Sequence, residues 1–216
     1  MFSDRTHAGK QLATSLRERE LEADIVLGIP RGGLPVAKPV AETLGVPLDV
    51  VVASKIGAPS NPELAIGAVA SDGSLWRNDE LISRLGVSEA YIETERKAEI
   101  EYARKKAERY RGDGHLPDLA GKRVIVVDDG LATGATAIAC LRLIREAGAA
   151  HLTLAVPVGS PRSVADLQEE ADSVIALETP TNFGAVGQFY QRFGQVSDEE
   201  AMALLANATD QSSTHD

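Results

Sequence analysis

The sequence predicts an α/β domain with a mostly parallel central sheet flanked by helices. Three observations predict it. Short runs of β-formers alternate with helical patterns along most of the chain, the order that stacks helices on a parallel sheet. The run Val124-Ile125-Val126-Val127 is continuously apolar, as a strand buried on both faces requires. Two strand runs, Ile25–Ile29 and Val124–Val127, lead directly into turns of small residues, after which helical patterns resume. The chain has 216 residues, 44% hydrophobic and 25% charged, enough for a core without disulfides or a structural metal.

From the N-terminus, Ala8, Leu12, Ala13 and Leu16 recur at helical spacing and predict an amphipathic helix within residues 4–20. Ile25–Ile29 is the first strand. A helix over Ala37–Leu44 follows. Pro39 is a misfit there, because a proline inside a helix deletes a hydrogen bond; the helix should start late or bend. Leu48–Ala53 is the second strand and Ala65–Ala70 a weaker third, alanine being a poor strand former.

Residues 88–111 are a charged insertion of strong helix formers. Glu93 with Lys97, and Glu101 with Lys105, are favourable pairs one turn apart. Tyr91, Ile92, Ile100, Ala103, Ala107 and Tyr110 give the insertion a narrow apolar stripe. It suits either a solvated helix packed on the body or a lid or dimer element. The sequence Arg-Gly-Asp-Gly at 111–114 marks a loop.

After the strand Val124–Val127, a helix runs from Thr136 to Ala147 and Gly148 stops it. Strand Leu152–Val156 follows, then a helix over Pro161–Ala171 capped by Ser160, then strand Ser173–Leu177. Residues 179–205 follow the last strand and are expected near the mouth of the crevice. The polar stretch 207–216 reads as a disordered tail, which leaves residues 1–206 as a single domain.

Composition excludes several classes. The net charge of -10 argues against a nucleic-acid surface. Cys140 is the one cysteine, so no internal disulfide forms and a reducing cytoplasm fits; within an apolar helical run it reads as a small buried hydrophobe. No apolar stretch approaches membrane-spanning length, and the N-terminus lacks a signal-peptide pattern. His7, His115, His151 and His215 are scattered without metal-ligand spacing.

The chemistry concentrates where the strand Val124–Val127 ends. Asp128 and Asp129 form an acid pair, and two adjacent carboxylates repel without a partner. Gly130-Leu131-Ala132-Thr133-Gly134-Ala135-Thr136 is a small-residue turn before a helix, a place where backbone N–H groups and a helix dipole meet an anion. Acid pair and phosphate cradle are adjacent, which suits a sugar phosphate. A second small-residue loop, Pro30-Arg31-Gly32-Gly33, follows the first strand. Its glycines permit close approach, and Arg31 offers a planar fork of donors to phosphate oxygens. Lys55 follows the second strand and opens a Gly/Pro/Asn-rich stretch to Glu63, read as a loop able to move over the crevice. Glu63 either meets ligand or metal or pairs locally. The segment 179–205 holds Phe183, Tyr190 and Phe193, which could stack on a planar group or pack as a hydrophobic satellite.

The run Val-Val-Asp-Asp-Gly-Leu-Ala-Thr-Gly-Ala-Thr closely resembles the phosphoribosyl diphosphate (PRPP) signature of type I phosphoribosyltransferases. The full chain looks most like the branch carrying Pro-Arg-Gly-Gly, Ser-Lys-Ile-Gly and this signature. The resemblance covers roughly residues 4–205 and implies that family's fold. It implies that Asp128 and Asp129 bind the ribose hydroxyls and that Ala132–Thr136 holds the 5-phosphate. Pyrophosphate would lie on Pro30, Arg31, Gly32, Gly33 and Lys55. It further implies Mg²⁺ near Asp128 and Asp129, held directly or through water or substrate, and catalysis by Asp128, Asp129, Lys55 and Arg31. By the same resemblance residues 179–205 would form a small C-terminal hood over the acceptor, with Phe183 against a nucleobase. The first loop of the family often carries an unusual peptide bond, and Ile29-Pro30 is a candidate for cis. Many relatives place further basic residues on the mobile loop; here Lys55 is the one basic residue of that stretch. The expected protein is cytoplasmic and, by family analogy, a homodimer, with PRPP and a small-molecule acceptor as partners and neither nucleic acid nor membrane.

Two other readings compete. One is a non-catalytic PRPP- or nucleotide-binding regulatory protein of the same fold. The other is a dinucleotide-binding oxidoreductase, since Asp49 lies about twenty residues after Gly28. Gly-Ile-Pro-Arg-Gly-Gly, however, does not match the required glycine spacing. No P-loop or nucleophile-elbow motif occurs.

Overall fold

The computed structural model describes residues 1–112 and 116–212. Asp4 caps α1 (Arg5–Glu18) by accepting from His7 N at 2.9 Å, and Ala8, Leu12, Ala13 and Leu16 form its buried face as predicted. The chain continues through β1 (Ile25–Gly28), α2 (Leu34–Leu44), β2 (Leu48–Val50), β3 (Ala53–Ala58), β4 (Asn61–Ala70) and β5 (Leu75–Arg77). Helices α3 (Asp79–Leu85) and α4 (Glu89–Arg111) precede β6 (Arg123–Val127) and α5 (Ala135–Glu146). Then come β7 (His151–Val158), α6 (Pro161–Leu167), β8 (Ser173–Glu178), a 3₁₀ turn at Val186–Phe189 and α7 (Asp198–Ser212).

Five strands form a parallel sheet in the order β2-β1-β6-β7-β8. Alternation along each strand divides the core between two faces. On one face Leu27, Val126 and Leu154 pack with Ile138, Leu141 and Ile144 of α5. On the other, Val26, Ile125 and Ala155 pack with Leu12 and Leu16 of α1 and Val36 and Val40 of α2. The chain moves outward from β1 to β2 and returns to β6 on the far side of β1. The order therefore reverses between β1 and β6, and a crevice opens at their carboxyl ends. Gly28 pairs in register with Val127, so the loops that follow these strands start side by side.

Three local expectations are corrected. Lys55 lies within β3, not at the carboxyl end of the second strand, and the expected mobile loop from Ser54 to Glu63 is an antiparallel β3–β4 hairpin in a second sheet, β3-β4-β5. Ile56, Ala58, Ile66 and Val69 bury against Leu81 and Ile82 of α3 and Ile92 of α4, which outweighs the loop-like composition. Gly57 permits the register shift: a Cβ there would stand 2.5 Å from Pro62 O. Pro39 does not delay α2, which begins at Leu34 and carries Pro39 inside it. It packs near Gly9 of α1, whose missing Cβ would meet Val36 O at 2.5 Å and Pro39 Cγ at 3.1 Å. Residues 207–212, expected as disordered tail, continue α7; residues 213–216 lie outside the described ones, as do Asp113, Gly114, His115 and the Glu63 side chain.

The hood builds on the N-terminus. Phe2 bridges to Tyr190, its N–H donating to Phe189 O at 2.8 Å, while Gln191 N donates to Phe2 O at 2.8 Å. Phe2, Ala8, Val158 and Tyr190 form a satellite core, flanked by Phe183, Val186 and Phe189.

Candidate active site

Val127 ends β6, and Asp128 and Asp129 follow directly. The next turn is pinned from α6: Ser163 Oγ donates to Ala132 O at 2.5 Å and Ser160 Oγ to the same carbonyl at 3.3 Å. Gly134 opens α5 in the left-handed region (φ 74°), where L side chains are strained. No side chain caps α5, and its first bond runs from Ile138 N to Gly134 O at 2.9 Å. The amides of Ala135, Thr136 and Ala137 are the unused donors of that first turn, beside the exposed Ala132 and Thr133. A cavity of about 170 Å³ lies here, lined by Asp128 and Gly130–Ala137. The local arrangement is that of an anion cradle.

The first loop meets this turn. Ile29 N donates to Val127 O at 2.9 Å, tying the loop to the end of β6. The cis peptide bond is Pro30–Arg31, one residue beyond the Ile29-Pro30 candidate. Gly32 faces the second acid: a Cβ there would lie 2.1 Å from Asp129 Oδ2. A Cβ at Gly33 would lie 2.6 Å from both Ile29 O and Val127 O. Glycine at 32 lets the loop lie on Asp129, and glycine at 33 lets it lie against the end of β6.

The acids differ in their surroundings. Asp128 Oδ1 accepts from Asp129 N at 2.8 Å. Burial and the neighbouring Asp129 charge push the Asp128 carboxyl well above the usual carboxylate range. Burial also raises Asp129, while Arg5 pulls it back. Arg5 Nε donates to Asp129 Oδ2 at 2.7 Å, and the Tyr190 hydroxyl donates to Asp129 O at 2.6 Å. The Arg5 guanidinium lies 3.8 Å from the centre of the Phe193 ring.

The basic side of the crevice comes from the first loop and from α4. Arg31 is partly exposed and stands 3.8 Å from Asp198 Oδ1. Lys106 Nζ donates to Pro30 O at 3.0 Å; burial, with Arg31 adding to it, lowers the lysine's pKa. Strand alternation places Lys55 on the same face of β3 as Ala53, which belongs to the core beneath α5.

Residues 4–192 match the phosphoribosyl transferase domain family. The chain belongs to that family. The "Putative phosphoribosyl transferase" of Mycobacterium tuberculosis (strain H37Rv) is 46% identical over 210 residues, which are 96% of this chain and 47% of that protein. The chain thus spans about half the length of this curated relative and of its counterpart in a second strain of that organism. An amidophosphoribosyltransferase from Synechocystis is 26% identical over 82% of this chain and 29% of its own. The crystal structure of TT1426 from Thermus thermophilus superposes with a TM-score of 0.81 at 43% identity, covering 96% of this chain and 99% of that one.

For a phosphoribosyltransferase-family domain, the crevice gathers most of what the motifs name. Pro30, Arg31, Gly32, Gly33, Asp128, Asp129, Gly130 and the Ala132–Thr136 turn converge at the carboxyl ends of β1 and β6. Phe183 stacks on Phe189 at 5.5 Å within the hood satellite. Phe193 and Tyr190 are the hood aromatics beside Asp129, the one through Arg5 and the other directly. Gly130 passes under the hood, since a Cβ there would meet Val186 Cγ1 at 2.6 Å. Arg5, Lys106 and Asp198 escaped the sequence reading. No local pattern marks Arg5 or Asp198. Lys106 had a faint signal, flanked by Ala103, Ala107 and Tyr110 on the apolar stripe of α4.

Proposed function

We propose that this domain transfers the 5-phosphoribosyl group between PRPP and a nitrogen acceptor, a nucleobase, with pyrophosphate as co-product. One observation carries the reading: two phosphate-type loops lie in contact at the sheet's switch point, with the acid pair between them. The Gly32–Asp129 approach is where they touch. PRPP carries phosphates at both ends of a diol-bearing ring, and this order of groups matches it.

In this reading the amides of Ala135–Ala137 and the Thr133 hydroxyl hold the 5-phosphate. Asp128 and Asp129 accept from the ribose hydroxyls. Arg31, the Gly32 amide and Lys55 receive pyrophosphate. As the C1–O bond breaks and the C1–N bond forms, negative charge builds on the departing pyrophosphate. Fixed cations and amides stabilise it without reorganising. The acid pair favours positive charge on the sugar.

The donor set suits Mg²⁺ held mainly by substrate. Among the described residues no group of three or more His, Cys, Asp or Glu side chains could hold a metal. Two carboxylates plus substrate oxygens and waters are, however, a usual set for this ion. Asp128 and Asp129 would hold it, directly or through water, and the ion would supply neutralisation of pyrophosphate charge.

Calorimetric titration of PRPP with and without Mg²⁺, followed by pyrophosphate release over a nucleobase panel, tests the proposal. Mg-dependent binding with release for one base is the expected result. Binding without release over the whole panel would instead support a regulatory PRPP-binding domain. The β3–β4 hairpin in place of a mobile catalytic loop favours that second reading.

A further inference from the structure

We infer that Lys106, on the helical insertion α4, binds the pyrophosphate end of the ligand. The insertion then has a chemical role: it supplies a further basic group where the Ser54–Glu63 segment offers only Lys55. This rests on the reading above that the Pro30–Gly33 loop takes pyrophosphate.

The lysines of α4 divide into two kinds. Lys97 and Lys105 are exposed and pair with Glu93 and Glu101 at 3.6 and 3.2 Å. They solvate the outer face. Lys106 lies on the inner face beside Ala103 and Ala107, both fully buried against the body. Among the described residues no carboxylate lies within ion-pair distance of it. Its one protein acceptor there is Pro30 O at 3.0 Å, the carbonyl just before Arg31. An ammonium carries three donors. Two are therefore left for a ligand beside the loop.

A partly buried lysine without a counter-ion is costly, and a second cation nearby makes it more so. Arg31 is that second cation, and it acts on Lys106 at short enough range to disfavour its charge. Two cations converging on one loop are relieved by an anion lying between them. Asp128 and Asp198 attract Lys106 only from outside ion-pair distance, so the place for a close anion remains. Pyrophosphate carries several charges and has oxygens enough for Arg31, Lys106 and the loop amides together.

The test uses inorganic pyrophosphate and ribose 5-phosphate as separate calorimetric probes of the full chain. Lys106→Gln keeps a donor for Pro30 O but removes the charge. It should weaken pyrophosphate binding about tenfold or more, the scale of one charge-assisted hydrogen bond, and leave ribose 5-phosphate binding within about twofold. Lys106→Arg should retain most of the pyrophosphate affinity. Acetylation of Lys106 in the unaltered protein gives a second measurement that needs no variant to fold: pyrophosphate should slow it and ribose 5-phosphate should not. Equal loss of both ligands in Lys106→Gln, or unprotected acetylation, would overturn the inference and leave a purely structural lysine. If the unaltered protein binds both probes and Lys106→Gln binds both equally well, this inference fails while the proposed function stands. If the unaltered protein binds neither, both fall together.

Discussion

Arg5 and Asp129, separated by 124 positions, form a hydrogen-bonded ion pair of 2.7 Å that is more than four-fifths buried on both sides. The pair joins the first turn of α1 to the acid pair, and Phe193 and Gly194 of the hood close over the guanidinium. It explains how two adjacent carboxylates persist at one strand end. Arg5 compensates Asp129, and Asp128 is the acid whose charge is most disfavoured. Removing the cation should leave Asp129 buried and unpaired. Arg5→Met is expected to cost about 3 kcal/mol in urea unfolding, the usual scale for breaking such a pair. Arg5→Lys should recover part of it. A loss below about 0.5 kcal/mol would place the pair among weak surface bridges.

Asp128 yields a prediction of opposite sign. Its folded-state pKa lies above the unfolded value, so the folded protein holds a proton that the unfolded chain has released. Stability is then fully present below the ordinary aspartate pKa and falls as pH rises toward the folded value. Asp128→Asn removes that penalty. In the absence of ligand and divalent ions it should raise Tm by about 3 °C at neutral pH, and the gain should vanish in acid. PRPP turnover should be lost in the same variant. A stabilised variant with full turnover would contradict the placement of Asp128 at the ribose.

Gly32 tests the contact between the loops. Alanine there places a methyl within 2.1 Å of Asp129 Oδ2 and forces the loop or the acid to move. Gly32→Ala should fold, since the loop lies at the crevice mouth, but PRPP should bind about tenfold or more weakly, a shift of roughly 1.4 kcal/mol. Unchanged affinity would mean the two loops do not share a ligand. Thr133→Val makes the complementary test at the other end. It should weaken ribose 5-phosphate more than pyrophosphate, and equal effects would refute the assignment of the turn to the 5-phosphate.

Legibility in the sequence followed locality. Val124–Val127 with its acids and turn encodes strand, turn and helix start within about a dozen residues, and the structure reproduces it; the first strand and its glycine loop are reproduced as well, although α2 starts at Leu34 and not at Ala37. The Ser54–Glu63 segment misled because Gly57, Pro59 and Pro62 signal a loop. Its strand character comes from α3 and α4, which cover Ile56 and Ile66 from far along the chain. Pro39 misled in the same way: packing on Gly9 overrides a local helix penalty. Arg5 with Asp129, and Lys106 with Pro30, are contacts between distant segments and carry no periodic signal. Phe183 and Phe193 are alike in composition, and only the hood's path decides which approaches the acids.

Asp198 gathers Tyr110, Arg109 and Arg31 at the start of α7, with the Tyr110 hydroxyl at 2.8 Å and Arg109 at 2.5 Å. The Tyr110 hydrogen bond, then the nearby arginines, hold its carboxyl below the usual value of 3.8. The sign follows from that lowering. Asp198 stabilises the fold above the unfolded pKa, and the contribution is lost as pH falls through the folded one. Asp198→Asn should therefore cost about 1 kcal/mol at neutral pH and progressively less in acid, read as a flattened acid limb of the unfolding curve. Arg31 responds differently. Its 3.8 Å approach to Asp198 is long and partly exposed, a geometry worth little by itself. Releasing it should change pyrophosphate affinity by less than about threefold, within the range of a weak surface pair. A much larger gain would make Asp198 an internal competitor for Arg31, which pyrophosphate must displace before the crevice can fill.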